Sequence, residues 1–179
     1  LEAGDKIVSM LPMAHMYGLA FEFLYEVAAG CHIYFLTRMP SPKIIFQAFA
    51  DVKPNLVVAV PLIIEKIIKK NVLPKLETPT MKLLLKVPII NDKIKASVRE
   101  QVIKAFGGNF CEVIIGGAAF NHDVEQFLKM IDFPYTVGYG MTECGPIISY
   151  EDWTRFKTGS CGKAAPRICL LYTSDAADE

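Results

Sequence analysis

Short apolar runs alternate along the chain with longer segments in which apolar residues recur every three or four positions. The short runs are rich in β-branched residues and end at proline, glycine or polar residues, which is typical of β-strands. The predicted strands cover residues 7–11, 32–36, 56–60, 111–115 and 135–137. Continuous apolar strands that alternate with amphipathic helices predict an α/β fold, with a mostly parallel sheet flanked by helices on both faces.

The amphipathic segments between these strands predict the helices. The isoleucines of residues 63–68 recur at helical spacing, and Val124, Phe127, Leu128 and Ile131 do so again after Asn121, a suitable N-cap. The predicted helices cover residues 17–29, 42–51, 63–70, 91–106 and 121–131. Residues 71–86 contain two prolines and show no clear period, so we expect an excursion at the surface.

Two glycine-rich loops directly follow predicted strands. One covers residues 116–119 and the other residues 138–146, with the sequence GYGMTECGP. Ligands of such sheets bind beyond the carboxyl ends of the strands, and glycine lets a ligand approach the backbone closely. The two loops are therefore the candidate binding loops.

Composition and charge exclude several classes of protein. With 52% hydrophobic residues the chain can bury a large core, and its 19 basic residues balance 19 acidic ones, so nothing indicates a nucleic-acid partner. The apolar runs are interrupted by Pro61, or by Glu22, Glu26 and His32, before they could span a membrane. Five cysteines without C-x-x-C spacing indicate reduced thiols and a cytoplasmic location.

The loop GYGMTECGP combines groups that suit a nucleotide. Tyr139 stands between two glycines and can lay its ring against a base, and the hydroxyl of Thr142 can bind a phosphate oxygen. The carboxylate of Glu143 can hold Mg²⁺, which neutralises phosphate charge. A dinucleotide fingerprint would need glycine where Glu143 stands, so we disfavour that reading.

This loop resembles the Tyr-Gly-x-Thr-Glu motif of the adenylate-forming, or AMP-binding, superfamily. Further segments resemble the superfamily in the same order and spacing: LPMAHMYG its acyl-pocket segment, VAVPLIIEKI a segment of long-chain fatty acyl-CoA synthetases, IIGGAAF its Gly-Gly-Ala loop and GSCGKAAP its Gly-Ser-x-Gly-Lys-Pro stretch. Together these segments cover about residues 5–167.

The resemblance implies an ATP-dependent acyl-CoA synthetase. In that family a fatty acid and ATP form acyl-AMP and pyrophosphate, and the coenzyme A thiol then displaces AMP. It also implies a role for each matching position. Gly116, Gly117 and Ala118 would contact adenine, and the ring of Tyr139 would stack on it. Thr142 would bind phosphate, Glu143 would ligate Mg²⁺, and His15 and Tyr17 would lie at the carboxylate and acyl pocket. Gly138, Gly140 and Met141 complete the nucleotide-binding loop, and His15, Thr142 and Glu143 are the catalytic candidates.

The chain also departs from the family pattern. The family's serine, threonine and glycine-rich phosphate loop, its ribose-binding aspartate and its C-terminal domain with the catalytic lysine have no counterpart here. We therefore expect residues 1–168 to be a fragment of the large N-terminal domain and to be inactive alone. Residues 169–179 resemble translated sequencing-adapter sequence and are expected to be a non-native tail, a natural acidic terminus being the alternative.

Alternative functions stay open at this point. One is an adenylation enzyme for another carboxylic acid, aryl or amino, and the other is a non-catalytic remnant of the fold. Lys66, Lys69 and Lys70 form a basic helix face that is either solvated or in peripheral contact with a membrane.

Overall fold

The computed structural model of the chain describes residues 1–71 and 88–170. Its main sheet consists of β1 (Lys6–Ser9), β2 (His32–Phe35), β3 (Leu56–Ala59), β4 (Glu112–Ile115) and β5 (Tyr135–Val137). These five strands have the order β2-β1-β3-β4-β5, and every neighbouring pair is parallel. Each strand begins within one residue and ends within two residues of a predicted run, and the predicted α/β fold is confirmed.

The helices also follow the predicted segments. They are α1 (Met16–Leu19), α2 (Tyr25–Ala29), α3 (Pro42–Val52), α4 (Pro61–Asn71), α5 (Pro88–Ala105) and α6 (His122–Met130). A π-helical turn over Ala20–Leu24 joins α1 to α2, so residues 16–29 form one continuous helical segment. Most of the excursion expected at residues 71–86 lies outside the described residues.

Side-chain caps and glycine set the helix boundaries. The Oδ1 atom of Asn121 accepts a hydrogen bond from the backbone N–H of Val124 at 3.1 Å, which confirms the predicted N-cap of α6. Gly30 ends α2 with φ +76°, a left-handed conformation that costs glycine nothing. These local signals explain why the helix ends could be read from the sequence.

The two faces of the main sheet are covered differently, because successive residues of a strand point to opposite faces. Val57 and Val113 face the larger core, which buries Phe49, Ile67 and Phe106 from the helices after β2 and β3. The other face is a smaller cluster built from Ile7, Leu11, Leu56 and Val58, against which Tyr17 and Phe21 pack. The helical segment 16–29 thus provides the cover of this second face.

A second, antiparallel sheet follows the first directly in the chain. After β5, Gly138 leads into β6 (Tyr139–Gly140), which pairs with β7 (Ile147–Tyr150), and β7 pairs with β8 (Lys163–Ala164). The side-chain hydroxyl of Thr136 in β5 donates to the backbone oxygen of Glu151 at 2.7 Å and links the two sheets. The sequence analysis treated β6 as part of a loop and did not predict this sheet.

Two general properties bear on the sequence predictions. Within residues 1–71 and 88–170 no helix combines the length and the hydrophobicity that crossing a bilayer requires. The five cysteines are all unpaired.

Candidate functional site

A cavity of about 410 Å³ opens beyond the carboxyl ends of β4 and β5 and extends along the second face of the main sheet. Both glycine-rich loops contribute to it, and Val58 and Ile114 form an apolar wall. The expected position of a ligand in such a sheet therefore coincides with a cavity.

Most of the predicted site residues line this cavity, although they come from three distant parts of the chain. The lining includes His15, Tyr17, Gly116, Gly117, Gly138, Tyr139, Gly140, Met141 and Thr142. Two predicted residues lie outside the lining, and the side chains of both, Ala118 and Glu143, are exposed. The roles of all these residues in binding or catalysis remain predictions.

Tyr17 connects the helical segment 16–29 to the first glycine loop. Its hydroxyl group donates to the backbone oxygen of Ile114, at 3.3 Å. A Cβ atom on Gly116 would lie 3.1 Å from the ring of Tyr17, so glycine is what allows this close approach. Burial raises the pKa of the Tyr17 phenol, with a further contribution from the charge of Glu22, so the hydroxyl stays a hydrogen-bond donor.

His15 lies at the start of α1 and at the edge of the cavity. Its backbone is extended, and its Nδ1 atom accepts a hydrogen bond from the backbone N–H of Tyr17 at 3.1 Å, which makes it the N-cap of the helix. Its imidazole is exposed. The ring is therefore oriented by the helix it caps and is open to a ligand.

The loop after β5 is a tight turn that presents Tyr139. The backbone N–H of Met141 donates to the oxygen of Pro146 at 2.8 Å, and a 3₁₀ turn covers Thr142–Cys144. A Cβ atom on Gly140 would lie only 2.1 Å from that same oxygen, so residue 140 has to be glycine. The side chain of Tyr139 is 52% exposed, which leaves ring surface open for stacking.

Glu143 lies in the 3₁₀ turn beside Thr142. No three His, Cys, Asp or Glu side chains converge as a metal site in the part of the chain that the structure describes. Magnesium ions at nucleotide sites are held by one or two carboxylates and by the phosphates of the substrate rather than by a full protein cage. A single exposed carboxylate next to a cavity-lining threonine fits that type of donor set.

The sequence analysis missed the residues at the other end of the cavity. The Tyr150 hydroxyl donates to Oε1 of Glu112 at 2.5 Å, and the backbone N–H of Trp153 donates to Oε2 at 3.4 Å. Burial raises the pKa of both Glu112 and Tyr150. Tyr150 and Glu112 are 38 positions apart in the sequence, so their contact could not be predicted. The one signal in the sequence was the glutamate itself, which stands at the edge of an apolar strand.

Two buried carboxyl groups were read only as interruptions of an apolar run. Glu22 and Glu26 are both fully buried in the helical segment 16–29. The Oε2 atom of Glu22 accepts hydrogen bonds from the backbone N–H groups of Met10 and Leu11, whereas its Oε1 atom and both oxygens of Glu26 lack a partner among the described residues. Burial raises the pKa of Glu22 to about 7, and it raises the pKa of Glu26 as well.

Comparison with known proteins assigns the chain to a class. The sequence matches the family of AMP-binding enzymes over residues 1–176, and the chain belongs to that family. It is 27% identical to the long-chain-fatty-acid–CoA ligase ACSBG2 of Rattus norvegicus, over 89% of this chain and 27% of that protein. It is 28% identical to long-chain-fatty-acid–CoA ligase 4 of Saccharomyces cerevisiae, over 78% of this chain and 22% of that protein.

Solved structures show the same fold at lower identity. A benzoate CoA ligase from Burkholderia xenovorans matches 93% of this chain with 28% of its own, at a TM-score of 0.64 and 16% identity. The O-succinylbenzoate coenzyme A synthetase of Bacillus subtilis, solved with ATP and magnesium ion, matches 94% of this chain with 31% of its own, at a TM-score of 0.62 and 16% identity. The chain spans only 22–27% of the length of the first curated relatives.

Proposed function

We propose that the protein containing this chain is an ATP-dependent acyl-CoA ligase for medium- or long-chain fatty acids. A fatty acid carboxylate would attack the α-phosphate of ATP, forming acyl-AMP and releasing pyrophosphate. The thiol of coenzyme A would then form the thioester and release AMP. The observation that carries the proposal is the convergence of His15, Gly116 and Tyr139 on one cavity, in a chain that belongs to the AMP-binding enzymes.

The proposed adenine contacts are those of the two glycine loops. Gly116, Gly117 and Ala118 would contact the base on one side, and the exposed ring of Tyr139 would stack on it. A base stacked on an aromatic side chain gains roughly 1–3 kcal/mol. The glycines at 138 and 140, with Met141, would hold the loop close enough for that contact.

The reacting groups would lie between these loops and α1. Thr142 would bind phosphate and Glu143 would hold Mg²⁺, which when bound neutralises charge that develops on the phosphates. His15 and Tyr17 would face the carboxylate and the start of the acyl chain. The apolar wall of Val58 and Ile114 supports an alkyl substrate, since each buried methylene contributes about 0.8 kcal/mol.

We further propose that residues 1–168 belong to the large AMP-binding domain and that residues 169–179 are a non-native tail. Catalysis would need the phosphate loop and the lysine-bearing domain of a complete enzyme, so the chain alone is proposed to be inactive. The five unpaired cysteines support a cytoplasmic enzyme.

The experiment that tests the function is acid-dependent ATP–pyrophosphate exchange in the complete protein. Fatty acids of several lengths, benzoate and amino acids are compared. Exchange with medium or long fatty acids supports the proposal, exchange with only aryl or amino acids points to another adenylating enzyme, and no exchange points to a non-catalytic remnant.

A variant at Tyr139 tests the assigned nucleotide site in the same assay. Losing one base stacking contact of 1–3 kcal/mol predicts that Tyr139→Ala raises the KM for ATP roughly 5- to 150-fold. Tyr34→Ala, at an exposed tyrosine of β2 outside the cavity lining, serves as the control. Equal KM values for both variants would remove Tyr139 from the nucleotide site.

A further inference from the structure

A buried carboxyl group holds the segment that leads from β1 into the cavity. The Oε2 atom of Glu22 accepts hydrogen bonds from the backbone N–H of Leu11 at 2.8 Å, from the backbone N–H of Met10 at 3.0 Å and from the hydroxyl of Ser9 at 3.2 Å. β1 ends at Ser9, so the two N–H groups lie just beyond the strand. Glu22 thus supplies the hydrogen-bond acceptor for the N–H groups of Met10 and Leu11, which lie beyond the hydrogen-bonded part of the strand.

The π-helical turn is what brings this carboxyl group to the strand. Glu22 is the central residue of Ala20–Leu24, between α1 and α2. A π-turn inserted in an α-helix shifts the direction of the side chains that follow, and such turns are frequent at functional sites. A buried carboxyl group is stabilised by hydrogen bonds, and the three donors on Oε2 offset part of its cost in an apolar cluster, whereas Oε1 has no partner among the described residues.

Residues 10–17, the segment that Glu22 holds, are tightly packed up to the candidate site. The N–H of His15 donates to the oxygen of Pro12 at 3.0 Å, and His15 then caps α1. A Cβ atom on Gly18 would lie 2.7 Å from the same Pro12 oxygen, so α1 packs tightly against the turn. The position of His15 at the cavity therefore depends on where Met10 and Leu11 are held.

We infer that Glu22 is a positioning residue for the proposed reaction: it fixes the backbone at Met10 and Leu11 and thereby places His15 and Tyr17 at the cavity. The inference rests on the proposed function for its catalytic consequence. Its structural part, that Glu22 holds the segment 10–17, is independent of any activity. Glu22 itself does not line the cavity and acts through His15 and Tyr17.

The chain offers a matched control at Glu26. It lies one turn later in the same helical segment and is equally buried, but no backbone N–H of residues 10–17 reaches its oxygens. Because Glu26 lines the cavity, it is the control for the hydrogen-exchange measurement and not for the kinetics. Glu22→Met and Glu26→Met each replace a buried carboxyl by an apolar side chain of similar length. Only the first leaves the two N–H groups of the loop without an acceptor, and Glu22→Gln keeps an acceptor oxygen in place.

The test uses the complete protein and two measurements. Hydrogen exchange followed by mass spectrometry is expected to show protection of residues 10–17 falling roughly tenfold or more in Glu22→Met, because the loop amides lose their partner, but not in Glu26→Met. In ATP–pyrophosphate exchange, kcat/KM for the acid should fall tenfold or more in Glu22→Met, while the KM for ATP stays within twofold. Glu22→Gln should recover most of both losses.

The outcomes separate this inference from the proposed function. Unchanged protection of residues 10–17 in Glu22→Met, or an equal loss of this protection in the two methionine variants, would overturn the inference even in an active enzyme. If the wild-type protein shows no exchange activity, the proposed function fails, and the protection of residues 10–17 still decides whether Glu22 holds the loop. If the KM for ATP and the KM for the acid rose by similar factors in Glu22→Met, the variant would be generally destabilised, and a positioning role would be contradicted.

Discussion

Alanine at position 140 is expected to separate the strands of the antiparallel sheet, whereas alanine at position 138 is not. A Cβ atom on Gly140 would lie 2.1 Å from the oxygen of Pro146, and real Cβ atoms do not approach closer than 3.0 Å, so the two backbones must part by at least 0.9 Å. On Gly138 the nearest atom, the oxygen of Ser149, would be 3.5 Å away, which is an ordinary contact. The two variants therefore differ in strain but not in chemistry.

The size of the effect follows from the same geometry. A shift of 0.9 Å would lengthen the 2.8 Å hydrogen bond from Met141 to Pro146 beyond a bonding distance, at a cost of about 1 kcal/mol. Overpacking adds roughly 1–3 kcal/mol. Since 1 kcal/mol lowers Tm by roughly 2–4 °C in a chain of this length, Gly140→Ala should melt roughly 4–16 °C below the wild type. Gly138→Ala should stay within about 1 kcal/mol of it.

Thermal and urea unfolding followed by circular dichroism measure both variants against the wild type. Binding of a fluorescent ATP analogue to the complete protein, measured below the melting temperature, should weaken in Gly140→Ala only, because Tyr139 directly precedes the displaced residue and Thr142 follows two positions later. Melting temperatures that agree within 1–2 °C for the two variants would show that the close approach of Gly140 and Pro146 is not a constraint on the fold.

Three further predictions concern the site and its surroundings. Glu143→Gln in the complete protein should lower ATP–pyrophosphate exchange roughly 10²-fold or more, since it removes a charge next to the phosphates, and exchange within threefold of wild type would exclude a metal role. Gly116→Ala should displace the Tyr17 ring and raise the KM for the acid, whereas an unaltered KM for the acid would show that the ring yields without cost. Burial raises the pKa of Glu22 from 4.5 to about 7, so the folded chain keeps a proton that the unfolded chain has lost, and stability should fall by up to about 3 kcal/mol as the pH rises from 4.5 to 7. Urea midpoints across this range should show a flatter slope for Glu22→Gln, and an unchanged slope would contradict the assignment.

Much of the main sheet could be predicted because four of its five strands, all except β2, are largely buried on both faces. Leu56–Ala59 and Glu112–Ile115 read as apolar runs, and the helices between them carry caps such as Asn121. The antiparallel sheet has no such pattern. β6 and β8 have two residues each and are exposed, and they exist because backbone groups pair with β7. Two-residue exposed strands that are held by backbone pairing show no alternation of apolar and polar residues in the sequence, so they could not be predicted from it.

The candidate site was predictable where backbone geometry requires glycine. Gly140 faces a backbone oxygen at a distance that no side chain could occupy, and Gly116 faces the Tyr17 ring at a distance that a Cβ atom could occupy only if the ring shifted. Such positions are visible in the sequence as glycine-rich motifs. The contacts of Glu22 with Met10 and Leu11 were not predictable, because they depend on a π-helical turn that changes the direction of one side chain. A glutamate in an apolar helix signals only that some partner is needed.

The cap that His15 forms also fixes which tautomer of its ring the cavity encounters. Because Nδ1 accepts the N–H of Tyr17, a neutral ring carries its hydrogen on Nε2, and a doubly protonated ring would lose the cap. The atom left for a ligand is therefore a donor. An ionised carboxylate or a phosphate presents only acceptors and matches it, whereas an ammonium group presents only donors and does not. The fold in this way favours a hydrogen-bond acceptor, such as a carboxylate oxygen, at the position where the chain begins its first helix.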